Sequence, residues 1–283
     1  MKSRSRCLLL AIVLPSLLAV SAVAQARPQG STKDAEQNGF MWTETYEGSG
    51  NSDGFITDVN STVGYTFSKH FAMDIGVAYL FFQPSTSKTG ATSANGIGNP
   101  YLGLTYSAKG SALDFSTSLN SAIPTASTAK GLSTGHVTVD WNNRFAHEFD
   151  LFTPFVDVGL ANSIPDTRFL HRPYISYGDV AHFEGGSELD LGDKFSVTAS
   201  GYYILPWGAQ QIFLRGKKNS SGPMKGSVSL TRDDGINLGI DYNLTRSLDL
   251  GAGYSRSVYN VLNTFSFGLE LNVGSLLKKP TTK

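Results

Sequence analysis

The chain has 283 residues and carries 23 Lys and Arg against 23 Asp and Glu, a formal net charge of zero. This balance offers no basic surface for phosphate backbones, so nucleic acid is excluded as a partner. After residue 26 no stretch comes near 18 consecutive apolar residues, which excludes a helical membrane protein by length.

The first 26 residues have the features of a secretory signal peptide. Lys2, Arg4 and Arg6 precede an uncharged apolar run from residue 7 to residue 20, and Ala24-Gln25-Ala26 supplies small residues at the spacing of a cleavage site. A membrane anchor is the alternative, but the run is shorter than the roughly 20 residues of a spanning helix. Cleavage would remove these three basic side chains and no acid, leaving 20 against 23. It would also remove the single cysteine, so we expect no disulfide.

Residues 55–67 and 71–82 alternate between bulky apolar and polar or small side chains. A period of two sustained over more than ten residues indicates a long strand with one apolar face. Strands of ordinary globular domains have roughly 5–6 residues, whereas a tilted strand that crosses a bilayer needs about 9–11. The pattern therefore predicts an all-β fold, a transmembrane antiparallel β-barrel, although a soluble β-sandwich would also alternate.

The same pattern predicts twelve strands along the chain. They are placed at residues 39–46, 55–67, 71–82, 97–106, 113–123, 136–145, 152–161, 174–185, 195–205, 228–243, 248–257 and 264–273. Short turns, such as 68–70, alternate with longer segments rich in Ser, Thr, Gly, Pro and Lys, such as 47–54, 124–135 and 206–227. Short periplasmic turns, longer external loops and an even strand number are typical of bacterial outer-membrane barrels.

Two of the predicted strands fit the pattern poorly. Residues 39–46 are short, and without this strand the count falls to eleven and is no longer even. Within residues 174–185, Asp179 shares a face with Tyr177 and Phe183 while Val180 points inward. This departure indicates a bulge or a register error.

These assignments divide the chain into a cleaved signal peptide over 1–26, a periplasmic segment over 27–38, the barrel over 39–273 and a periplasmic tail over 274–283. We expect export to the outer membrane of a diderm bacterium, with outer-membrane lipid, a small-molecule solute and the barrel-assembly machinery as partners. The sequence leaves the oligomeric state open. It indicates no cofactor and no metal, because no pair of histidines has metal-ligand spacing.

If the apolar face of each strand meets lipid, the opposite face lines the interior, where charges are tolerated. The charged residues predicted to line a pore are Asp58, Asp74, Asp114, His136, Asp140, Arg144, Asp157, His182, Glu184, Asp241, Asp249 and Glu270. A barrel of twelve strands lies between a filled barrel of about eight and an aqueous channel of about 16–18. Inward glycines could leave a narrow pore, or they could serve curvature while paired charges plug the lumen.

His136, Asp140 and Arg144 share one inward face at four-residue steps. Successive members lie about 13 Å apart along a strand, which is too far for a catalytic relay. The favoured interpretation is an ion pair of Arg144 with Asp140 or with Asp157 on the next strand. We expect no enzyme, because the pattern places no Ser-His or acid-His set near one rim.

A basic segment follows residue 206. No acid occurs from residue 206 to residue 232, and the basic residues there are Arg215, Lys217, Lys218, Lys225 and Arg232. This external loop could fold inward as an anion-selecting constriction, touch lipid phosphates, or remain a solvated mobile loop.

Three short motifs suggest a family. They are Asn95-Gly96-Ile97-Gly98-Asn99 before Tyr101-Leu102-Gly103-Leu104, then Ser121-Ala122-Ile123-Pro124-Thr125-Ala126, and Ala181-His182-Phe183-Glu184-Gly185-Gly186. In these motifs and in layout the chain resembles outer-membrane proteins of the phenol-degradation meta-pathway transporter type. The resemblance implies a barrel that admits small aromatic or hydrophobic compounds.

The leading hypothesis is a passive outer-membrane channel for small solutes. The alternative is a non-conducting barrel whose external loops bind a ligand or partner. The two differ in whether Arg144 and the inward acids leave an open path through the lumen.

Overall fold

The computed structural model describes residues 39–51, 54–84, 93–164, 174–192, 194–214, 224–226, 231–245, 247–259 and 261–272. The predicted signal peptide, the segment 27–38 and the tail 274–283 lie outside these residues. Within the described ranges, no helix is both long and apolar enough to cross a membrane.

The described residues form β-strands along almost their whole length. The strands are β1 (Gly39–Asn51), β2 (Gly54–Thr66), β3 (Phe71–Pro84), β4 (Ala94–Ile97), β5 (Tyr101–Ala108), β6 (Asp114–Ala122), β7 (Thr138–Ala146), β8 (Phe152–Ala161), β9 (Tyr174–Tyr177), β10 (Val180–Asp190), β11 (Phe195–Pro206), β12 (Gln210–Leu214), β13 (Met224–Gly226), β14 (Asp233–Thr245), β15 (Leu248–Ser257) and β16 (Leu262–Asn272).

Twelve antiparallel wall strands close into a barrel. Their order is β2, β1, β16, β15, β14, β11, β10, β8, β7, β6, β5 and β3, and β3 pairs with β2 to complete the circle. Both β4 and β5 pair with β3, so they are two halves of one wall strand that is interrupted at 98–100. The predicted all-β fold, a twelve-stranded antiparallel barrel, is confirmed.

β1 closes the barrel and is longer than the sequence pattern predicts. It spans 13 residues and pairs along its length with β16 on one side and β2 on the other. Most of the segment predicted as a loop, 47–54, is therefore strand. Gly48 and Gly50 resemble loop residues in the sequence, but the ring of Phe55 on β2 covers both, with a ring carbon 2.8 Å from a Cβ built at Gly48. An aromatic ring that shields glycine in this way stabilises a strand.

The irregularity predicted near Asp179 is a break between two sheets. β9 ends before Gly178, whose φ of 153° is unfavourable for other residues. β9 lies outside the barrel wall. It pairs with β12, which also pairs with β13, and the three strands form a separate sheet. β10 continues in the wall from Val180. The strand predicted at 228–243 begins only at Asp233, as β14.

The register assigns each wall side chain to one of two faces, because residues paired across strands point the same way. Asp58 and Asn60 are fully buried inside the barrel, and their cross-strand partners share this inner face. Phe71 and Ile75 point the other way and are 57% and 58% exposed. The outer face is thus mainly apolar and the inner face mainly polar.

The two rims of the barrel differ. At one rim, no more than five residues separate neighbouring wall strands, at 67–70, 109–113, 147–151, 191–194 and 246–247, and we call it the short-turn rim. The opposite rim is called the long-loop rim. Aromatic rings pair across strands on the outer face at the short-turn rim: Phe71 with Tyr106 at 5.0 Å, Phe115 with Phe145 at 5.3 Å and Phe195 with Tyr242 at 4.4 Å between ring centroids. Such a girdle is typical of a membrane interface.

Candidate functional site in the barrel lumen

The register places all the residues predicted to line a pore on the inner face, except His136. They are Asp58, Asp74, Asp114, Asp140, Arg144, Asp157, His182, Glu184, Asp241, Asp249 and Glu270. This face also carries three acidic residues that the alternation did not predict, Glu47, Glu188 and Asp233. Glu47 was missed because its segment resembles a loop, although its pairing with Asp58 makes it part of the wall.

The prediction that His136 belongs to an inward strand face is wrong. β7 begins at Thr138, so His136 lies in the preceding loop and is exposed. Its imidazole stacks on the ring of Tyr177 in β9, with centroids 4.3 Å apart and an angle of 22°. This contact holds the loop against the three-stranded sheet at the long-loop rim.

The predicted basic cluster is described only in part. Arg215, Lys217 and Lys218 lie outside the described residues, and Lys225 is in β13, which pairs with β12. Arg232 is exposed, and its guanidinium carbon lies 5.1 Å from the ring centroid of Tyr203. Tyr203 is on the outer face, as the partner of Asp234, so Arg232 does not point into the lumen.

A ladder of polar contacts begins on β7 and β8. Arg144 Nη1 lies 3.0 Å from Asp157 Oδ2, so the Arg144–Asp157 ion pair, one of the two predicted alternatives, is present. Asn142 Nδ2 donates to the other carboxylate oxygen at 3.2 Å. Asp140 is paired instead with His182 of β10, with 2.8 Å between Oδ1 and Nε2.

The ladder continues across β10, β11, β14 and β15. Glu184 accepts hydrogen bonds from Asn237 Nδ2, at 3.0 Å, and from the hydroxyl of Ser200. Ser255 Oγ in turn donates to Asn237 Oδ1 at 2.7 Å. These contacts form three separate sets that join neighbouring strands on the inner face, and within them Asn142 Oδ1 is buried without a hydrogen-bond partner.

Arg144 lies along the wall. Its guanidinium carbon is 3.7 Å from the ring centroid of Phe155, which comes from the same strand as Asp157. A cation over an aromatic face is attracted to it. The side chain is therefore held flat against β8 by two partners and does not extend across the lumen.

Negative charge is concentrated on the inner face. Carboxyl side chains lie directly opposite each other across neighbouring strands at three positions: Glu47 with Asp58, Asp157 with Glu184, and Asp249 with Glu270. Like charges in such positions oppose pairing. On the inner face of the described wall strands, the basic side chains are Arg144 and His182.

Several inward glycines make room for a side chain of the neighbouring strand. Large side chains lie flat over the glycine directly opposite on the next strand, so that an added Cβ would overlap them: Tyr101 over Gly76, Asp74 over Gly103, His182 over Gly159 and Tyr202 over Gly235. The sequence predicted that inward glycines leave a narrow pore or allow curvature. Making room for a neighbouring side chain is a third role. Gly268 differs, because a Cβ built there meets no heavy atom within 4 Å.

A loop that was predicted to be external enters the lumen at the long-loop rim. Leu132, in the connection from β6 to β7, is 5% exposed and packs on Ala78 and Leu80 of the inner face of β3. Two hydrogen bonds tie this loop to the segment around β4: Ala126 N donates to Asn99 Oδ1, and Lys130 Nζ donates to the carbonyl of Asn95, each at 3.0 Å. We call Ala78, Leu80, Leu132 and Ala126 the first apolar cluster.

A second apolar cluster lies on the opposite wall. Ile164, just after β8, packs against inner-face side chains; the cluster consists of Ile164, Val180, Tyr202, Ile204 and Leu262. Ser163 Oγ donates to the carbonyl of Ser176 at 2.7 Å, and Ile164 N donates to Ser176 Oγ at 3.1 Å, which fixes the loop. β3 and β11 are six strands apart in both directions around the barrel. Two inward loops therefore narrow the long-loop rim with apolar side chains.

No family model matches the chain, and no curated protein matches it. Among solved structures, the COG4313 outer membrane channel from Pseudomonas putida F1 is similar with a TM-score of 0.62 and 8% identity, over 87% of this chain and 99% of that one. The NanC porin (TM-score 0.49, 8% identity, 82% of this chain and 100% of that one) and the KdgM porin (TM-score 0.48, 9% identity, 81% and 98%) are also similar. At 8% identity the first likeness shows a shared barrel fold. Fold, apolar outer face and aromatic girdle together define the class, a β-barrel of the outer-membrane type.

Proposed function

We propose that the protein is an outer-membrane channel that gives small solutes passive passage. The observation that carries this proposal is a closed twelve-stranded barrel whose outer face is apolar and whose inner face is charged and hydrogen-bonding. A wall of this kind suits lipid outside and water inside. Twelve strands also enclose more space than the eight-stranded barrels that side chains fill.

The proposed location is the outer membrane of a diderm bacterium, reached after cleavage of residues 1–26. β1 starts and β16 ends at the short-turn rim, because Gly39 pairs with Thr66 and Met41 pairs with Asn272. Both ends of the barrel thus emerge at one rim, which supports periplasmic positions for 27–38 and 274–283. Outer-membrane lipid and the barrel-assembly machinery are the partners that this route requires.

The proposed solutes are small and include aromatic or hydrophobic compounds. This class is supported by the resemblance to transporters of the phenol-degradation meta-pathway type in the motifs at 95–104, 121–126 and 181–186.

The test is single-channel conductance of refolded protein in a planar bilayer. We expect discrete current steps whose size increases with salt concentration, because ions would cross a hydrated lumen. Heat-modifiable migration on a denaturing gel shows in parallel that the sample is folded. The absence of current from folded protein would overturn the proposal and favour a sealed barrel whose loops bind a ligand.

Replacing Arg144 by alanine tests whether the charged ladder plugs the lumen. Because the guanidinium lies flat on Phe155 and Asp157, its removal is expected to change the single-channel current only slightly. Lys194→Ala, which removes the same charge from an exposed turn, is the control. A large rise in current for R144A alone would show instead that the ion pair blocks the path.

A further inference from the structure

We propose that Asn99 is a positioning residue that holds a loop inside the lumen, and that this loop sets the size limit of the path. The loop comprises residues 123–137, and we call it the first inward loop. This inference rests on the proposed channel and deepens it, because it names the residues that limit the solutes by size. It also assigns a role to two of the three sequence motifs, those at 95–104 and 121–126.

The first inward loop occupies space in the lumen. Its tip, residues 131–134, is buried, whereas residues 127–130 just before the tip are exposed. The chain leaves the wall at Ala122 and rejoins it at Thr138, and these two residues pair with each other. Leu132 nevertheless packs on the inner face of β3, two strands away from β6. The tip therefore fills a part of the lumen that a solute would otherwise use.

A bulge in the wall lies beside this loop. Between β4 and β5, the three residues 98–100 stand opposite only two residues of β3, 77–78. An extra residue of this kind turns a side chain out of the regular alternation. Gly98 N still donates to the carbonyl of Ala78 at 2.7 Å, so the irregularity falls on the two residues that follow. The first of them is Asn99.

Asn99 is tied to the loop by its side-chain oxygen. Ala126 N donates to Asn99 Oδ1 at 3.0 Å. Because a backbone N–H can only donate, the atom that faces it must be an acceptor oxygen. Ala126 also packs against the first apolar cluster, to which Leu132 belongs, so this hydrogen bond holds the loop next to its buried tip. Ile123 N donates to the carbonyl of Pro100 at 2.9 Å, which fixes the start of the loop to the same bulge.

The loop is also bonded within itself, so its tip follows Ala126. Leu132 N donates to the carbonyl of Ser127 at 3.0 Å, which closes a short turn directly after Ala126. Lys130 Nζ adds a second tie, to the carbonyl of Asn95, but this contact is exposed and water competes with it. Loss of the Asn99 contact would therefore weaken the hold of the wall on the whole tip.

The first experiment measures how often the tip leaves the lumen. Cys7 is the only cysteine of the chain and lies in the predicted signal peptide, so Ser133→Cys places a single thiol of similar size at a fully buried position. The rate at which a charged thiol reagent labels the folded protein then follows the fraction of time that the tip is released. Loss of one hydrogen bond shifts such a balance about fivefold, so Asn99→Leu should raise the labelling rate by about this factor.

Two matched variants identify the cause. Asn99→Asp keeps an oxygen opposite Ala126 N and should not raise the labelling rate. Asn95→Leu makes the same substitution on the same wall strand, but at an exposed position of the outer face, and it should leave the rate unchanged. Equal rates for Asn99→Leu and Asn99→Asp would overturn the role of Asn99, whether both rise or neither does. A rise of the same size with Asn95→Leu would overturn it as well.

The second experiment tests whether the tip limits solute size. Liposomes that contain the mature chain are placed in a pentose or in a trisaccharide, and their swelling gives the rate of sugar entry. If the trisaccharide enters only while the tip is released, Asn99→Leu should raise its entry rate relative to the pentose about fivefold, as for labelling. Asn99→Asp and Asn95→Leu should leave this ratio unchanged. Faster labelling of Asn99→Leu without a change in the ratio would overturn the loop as the size limit.

The outcomes separate this inference from the proposed function. If neither sugar enters and folded protein carries no current, the proposed channel is defeated, while thiol labelling still decides whether Asn99 holds the loop. If sugars enter but Asn99→Leu changes neither the labelling rate nor the ratio of the two sugars, the channel stands and this inference is defeated.

Discussion

Gly159→Val is expected to destabilise the barrel by about 1–3 kcal/mol, the usual cost of overpacking a filled site. Valine suits strands better than glycine, so local preference alone would stabilise the variant. The imidazole of His182, however, lies where the new Cβ would be. It must move away from Asp140, and the 2.8 Å contact between these side chains would be lost. Urea unfolding in detergent micelles, followed by tyrosine and tryptophan fluorescence, measures the difference.

Gly268→Val is the matched control, because Gly268 is also an inward wall glycine but has no heavy atom within 4 Å of its Cβ position. Here strand preference should act alone, so the variant should be as stable as the unmodified protein or about 0.5–1 kcal/mol more stable. Equal destabilisation of both variants would mean that inward glycine serves backbone curvature. Equal tolerance would mean that His182 is not held over Gly159.

The wall of the barrel could be predicted from sequence because its cause is local. The pleat forces successive side chains to opposite faces, so alternation in 55–67 and 71–82 shows both the strands and their lipid-facing side. The second half of β1 was not predicted, because Gly48 and Gly50 have no apolar side chain that would continue the alternation. Their shield, Phe55, comes from the next strand and becomes visible only once the register is known.

The lumen was harder to predict because its contacts join distant parts of the chain. Leu132 reads as an isolated apolar residue in a polar loop, and its contact with Ala78 and Leu80 spans about fifty positions. His136 continued the alternation of β7 by two residues, but the strand begins at Thr138. Sequence placed the acids on the correct face, yet it could not choose Asp157 over Asp140 as the partner of Arg144.

Gly268→Trp is expected to reduce single-channel conductance roughly twofold or more, since a twelve-stranded barrel has a lumen only moderately wider than one that side chains fill. The position faces inward between Thr45 of β1 and Gly251 of β15, and the space around a Cβ there is open. The indole would therefore project into the path without displacing wall side chains. Planar-bilayer recordings of folded protein give the conductance directly.

Gly185→Trp provides the comparison, because Gly185 also has no heavy atom within 4 Å of its Cβ position but lies on the outer face beside Val156 and Gly201. Its indole would enter lipid, where tryptophan is tolerated, and the conductance should not change. The two variants add the same volume to the same kind of strand and differ only in the face that carries it. A fall in current confined to Gly268→Trp would show that ions pass through the lumen rather than around or between barrels, whereas equal currents in both would contradict a path along β16.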